Sequence, residues 1–204
     1  MELNEAIGRI SEIHKRLVRT ETFRGFHSLT VGFTGLLGIV AAFVQGNCIE
    51  RPIEHIGDYL TLWVGAALVN LVVIGAELAY RWMSTDSPLK QRLTVQAIQQ
   101  FSPCLAAGGL FTGIIVTCAP EAVWILPGLW AVFFSLGVFA CCRLLPSSVA
   151  WVGAYYMLAG AICLIAGRGE YVLSPWLMAG TFGIGQWLAA GILSYSLERD
   201  HEQI

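Results

Sequence analysis

Charge is what this sequence has least of. Asp, Glu, Lys and Arg make up 13% of its 204 residues, about half the share of roughly a quarter found in soluble domains. The net charge is −2. That balance excludes the broad basic surface needed for direct contact with nucleic acid. Patterns for chemistry are missing too. The six cysteines include no C-x-x-C and no Cys/His spacing of a zinc site. There is no H-E-x-x-H pair, Walker loop or Gly-x-Ser-x nucleophile motif. His14, His27, His55 and His201 do not supply two axial ligands at matched depth, as a b-type haem requires. The expectation is therefore no metal, no cofactor and no catalytic set. A secretory signal peptide is not expected either, because Glu2, Glu5, Glu12 and Glu21 interrupt the basic residues of the first 25 positions.

What is abundant is apolar surface. Apolar residues reach 56% and mean hydropathy is +0.65, more than a globule of this size can hide from water. Six apolar runs, at 26–44, 59–80, 101–119, 124–142, 149–167 and 172–195, each approach the ~20 residues that a helix needs to cross a bilayer. None alternates as a barrel strand would, so helices, which pair their own amides, are the expected solution. The fold class predicted is an all-α, six-helix transmembrane bundle over 26–196. It is preceded by a cytoplasmic amphipathic helix over 1–25 and followed by a short tail over 197–204.

Lys and Arg set the expected orientation. Six spans put both termini on one side. Of the 12 Lys and Arg residues, that side holds all but Arg51 and Arg168, so both termini are expected to be cytoplasmic. Trp63, Trp82, Trp124, Trp151 and Trp176 fall near span ends, where indole rings favour the interface. The expected location is the cell membrane, multi-pass, of the bacterial inner-membrane kind.

Outside the spans, Leu3, Ile7, Ile10, Ile13 and Leu17 recur at helical spacing and form one apolar stripe. Glu5–Arg9 and Glu12–Arg16 are acid-first i,i+4 pairs. The mixed charge suits a protein-docking helix better than a lipid-surface helix, which would be rich in Lys and Arg. Ile7, Ile10 and Leu17 are thus candidate contacts to a cytoplasmic partner, to the chain's own bundle or to a second copy. Residues 86–100 read as a short connecting helix, with Asp86 or Ser87 as cap and Pro103 allowing a bend into the third span.

Few polar residues lie within the spans. Glu77 is the one carboxylate well inside, with Arg81 at i+4 as an ion-pair partner. Asn70 lies seven residues earlier on the same helical face, and Gln186 lies near the middle of the glycine-dense sixth span. With His27 at the end of span one, these form the candidate polar site: Asn70, Glu77, Arg81, Gln186 and His27. Two arrangements are open. Glu77 and Arg81 form a local ion pair, or Asn70, Glu77 and Gln186 line a polar column for a proton or cation. Cys48 and Cys118 fall near the outer side and would pair if that compartment is oxidising.

The run Arg19, Thr20, Glu21, Thr22, Phe23, Arg24 and Gly25, leading into span one, resembles bacterial six-helix inner-membrane proteins of unassigned biochemical role. The stretch from Ser174 to Met178, with Phe182 to Gln186, is similar to the same proteins. The resemblance implies a six-helix fold and, because such families often neighbour a winged-helix regulator, a cytoplasmic protein partner. It brings no catalytic residues. The function expected is a non-enzymatic interaction or sensing protein acting through residues 1–25. The alternative is a small transporter or channel subunit.

Overall fold

The computed structural model describes residues 28–85, 87–142, 144, 147–167 and 171–201. Ile7, Ile10, Leu17, His27 and the amphipathic helix over 1–25 lie outside them. Among the described residues the chain is helical, with no strand. The elements are α1 (Ser28–Cys48), α2 (Ile56–Ser84), α3 (Pro88–Cys118), a 3-10 turn (Pro120–Ile125) and α4 (Leu126–Cys141). A second 3-10 turn (Ser147–Val149), α5 (Ala150–Ala166), α6 (Pro175–Met178), a π segment (Ala179–Ile184) and α7 (Gly185–His201) complete them. The last three form one rod. Five helices are long and apolar enough to cross a membrane, and α5 is apolar but has only 17 residues. This is the architecture of a multi-pass membrane protein.

Threonine hydroxyls fit inside these apolar helices by bonding backward to their own backbone. Thr61 donates to Gly57 O at 2.7 Å, Thr112 to Gly108 O at 2.7 Å and Thr181 to Leu177 O at 2.8 Å.

Around the bundle the order is α2, α1, the last rod, α5, α4 and α3, with α2 and α3 meeting more sparsely. Glycine makes the two closest crossings. On α1, a Cβ at Gly35 would lie 2.9 Å from Gly183 O and 2.7 Å from Trp187. Trp187 in turn donates to Gly32 O at 3.2 Å. Between α4 and α5, a Cβ at Gly128 would lie 2.9 Å from Gly160 O, and Ser135 donates to Gly153 O at 2.7 Å. Small residues of this kind let helix backbones approach where lipid offers no hydrophobic drive for association.

Two cores result. One gathers Ala41, Ala42, Tyr59, Trp63, Ile115, Val123, Leu126, Leu173 and Met178 at the far end, beside the turns at 49–55 and 119–125. The other joins Ala131, Val138, Val149, Val152 and Tyr156 toward the near end.

One element differs from the expectation. The separate connecting helix over 86–100 is not formed, because α3 runs unbroken from Pro88 through Pro103 to Cys118. Proline deprives Gln99 O of its usual i+4 donor, and Ser102 Oγ stands 3.5 Å from that carbonyl. Both halves of α3 are fastened to the same neighbour. Phe101 packs edge-on against Phe134, and Trp130 donates to Thr112 Oγ1 at 2.8 Å. That shared partner, α4, meets the helix on both sides of Pro103, and α3 continues through it without a break.

The close crossing predicts an asymmetric response to alanine. Gly35→Ala should destabilise the bundle by about 1–3 kcal/mol through overpacking. Gly65→Ala, where nothing lies within 4 Å of the added carbon, should be neutral or gain a few tenths of a kcal/mol in helix propensity. Thermal unfolding in detergent compares the two; equal midpoints would mean the α1 crossing is not tight.

Candidate functional site

Of the residues singled out in the sequence, Glu77 and Arg81 are brought together. Arg81 Nε donates to Glu77 Oε1 at 3.1 Å, with the side chains 28% and 14% exposed for Arg81 and Glu77. The pair is therefore sheltered, unlike a freely solvated surface pair. Asn70 stands on the same helix, its Oδ1 buried without a hydrogen-bond partner. Gln186 belongs to α7, where its Cβ faces Gly35 of α1. The helix carrying Asn70 and Glu77 has α1 and α3 as its main neighbours, whereas the rod carrying Gln186 packs on α1 and α5. His27 lies outside the described residues.

The best-built polar site is elsewhere, at the far end. Gln45, near the end of α1, is fully buried. Its Nε2 donates to Leu173 O at 2.6 Å, and its Oε1 accepts from Trp63 Nε1 at 2.7 Å. One amide thus ties α1, α2 and the turn before α6. Leu173 has φ 53°, a left-handed conformation uncommon for a branched side chain. That conformation coexists with burial of its side chain in the far core and of its carbonyl against Gln45.

Below this tie lies a second polar group around the π segment. A wider i→i+5 ladder interrupts the regular carbonyl pairing, and Tyr155 Oη donates to Gly180 O at 2.5 Å. Thr181 Oγ1 and Cys163 Sγ are 3.3 Å apart. Tyr59 and Tyr156 are each fully buried, and their hydroxyls have no hydrogen-bond partner. Such a group ordinarily costs about 1–3 kcal/mol.

Chemically, these groups position backbone rather than activate a nucleophile. Among the described residues, Cys163 has a hydroxyl beside it but no base. All six cysteines are free thiols, Cys48 and Cys118 among them, both exposed. Among the described residues no three His, Cys, Asp or Glu side chains gather as a metal would need. At the far-end surface, a cavity of about 340 Å³ is lined by Asn47, Cys48, Ile49, Glu50, Arg51, His55 and Asp58. Its rim carries the ion pair Arg51–Glu54 at 3.1 Å.

Sequence reasoning ended the first span at Val44 and so missed Gln45. The available signal was an amide set directly against an uninterrupted apolar run, followed by Gly46 and Asn47. Tyr155 and Tyr156 were open to the same reading, as adjacent hydroxyls within an apolar span that must find partners.

Compared with known proteins, the chain matches no family model, and no curated protein or solved structure matches it significantly.

The Gln45 tie makes a direct prediction. Gln45→Leu leaves a buried indole N–H and a buried carbonyl unpaired, and should lower unfolding stability in detergent by about 1–3 kcal/mol per orphaned group. Gln186→Leu, which removes an amide that makes no hydrogen bond among the described residues, should stay within about 0.5 kcal/mol of wild type. Equal losses would remove the special standing of Gln45.

Proposed function

We propose that this chain is a non-enzymatic interaction or sensing protein of the bacterial inner membrane, acting through its N-terminal segment. It crosses six times, with both termini in the cytoplasm. α5 completes the six crossings: 17 residues at 1.5 Å each reach about 25 Å, and packing between α4 and the last rod shelters it on two sides. The Lys and Arg asymmetry supports the orientation.

The observation that carries the functional reading is the use made of interior polar groups. Gln45, Ser135 and Tyr155 each bond to a backbone carbonyl of another segment, and the helices around them cross at glycine contacts too close for a side chain. Polar groups spent on holding helices together favour a protein that transmits position over one that passes a solute. The far-end cavity supplies a surface open to the outer compartment, at the end of the helix that carries Gln45. The stripe Ile7, Ile10 and Leu17 supplies the cytoplasmic contact, to a protein partner or a second copy.

A transport reading keeps one observation in its favour. Asn70 Oδ1 is buried without a partner two turns from Glu77, as a residue lining a polar column would be. Gln186 would complete that column from the last rod.

Orientation is tested by thiol labelling of intact cells in a background with Cys48 and Cys118 replaced by Ser. An external reagent should modify Glu54→Cys and spare Glu5→Cys. The reverse pattern would invert the topology.

Function is tested on two fronts. In inverted vesicles, trypsin should spare Lys15 and Arg16 while the stripe is docked, and Ile10→Asp should expose them without loss of membrane insertion. In proteoliposomes, wild type should show no proton- or cation-coupled flux. Flux that Glu77→Gln abolishes would replace the sensing reading with the polar column.

A further inference from the structure

We draw no further inference here: the strongest candidate, the exposed face of α3 along Leu105, Gly109, Leu110, Gly113 and Thr117, is a stripe of small and apolar residues with open space at both glycines, and nothing among the described residues shows what covers it.

Discussion

A polar group inside an apolar bundle has no water to turn to, so its partner must come from the bundle itself. The far end of this molecule is organised by one such group. Gln45 has one donor arm and one acceptor arm engaged, and each arm reaches a different segment. The Leu173 carbonyl faces it because Leu173 accepts a left-handed conformation, which costs a non-glycine residue on the order of 1–3 kcal/mol. A charge-neutral hydrogen bond and the burial of a leucine side chain are together large enough to offset that cost. Trp63 reaches it because α2 begins with Tyr59 and Trp63 on its buried side, the two residues by which this helix enters the core.

The same accounting separates firmly held helices from loosely held ones. About 44% of the spanning window of α4 is buried, against 6% for α2. The glycines explain the contrast. Those at 35, 38, 128, 153, 160 and 183 sit against neighbouring helices, whereas Gly65 and Gly75 of α2 and Gly109 and Gly113 of α3 have nothing close. α3 is nevertheless bound along α4 by aromatic contacts and the Trp130–Thr112 bond. α2 is anchored mainly at its far end. The Glu77–Arg81 pair therefore sits on the least supported helix of the bundle, and it is a pair that needs no neighbour, since both members lie on consecutive turns of α2 itself.

This explains what could and could not be read from the sequence. The apolar runs gave the helices, because a helix in lipid is a property of one segment. The ion pair was legible for the same reason, an i,i+4 spacing being wholly local. Asn70 and Gln186 show the limit: sequence gives their depth but not the direction each helix turns them. Gln45 was missed because a hydropathy boundary was drawn one residue before it. Pro103 was read as the junction between a connecting helix and the third span, and the contacts that flank it in the unbroken α3 come from α4, more than twenty residues away in the chain. The π segment has no pattern of its own. Glycine density marked its neighbourhood as a place of close approach, and only the Tyr155 contact identifies where the ladder widens.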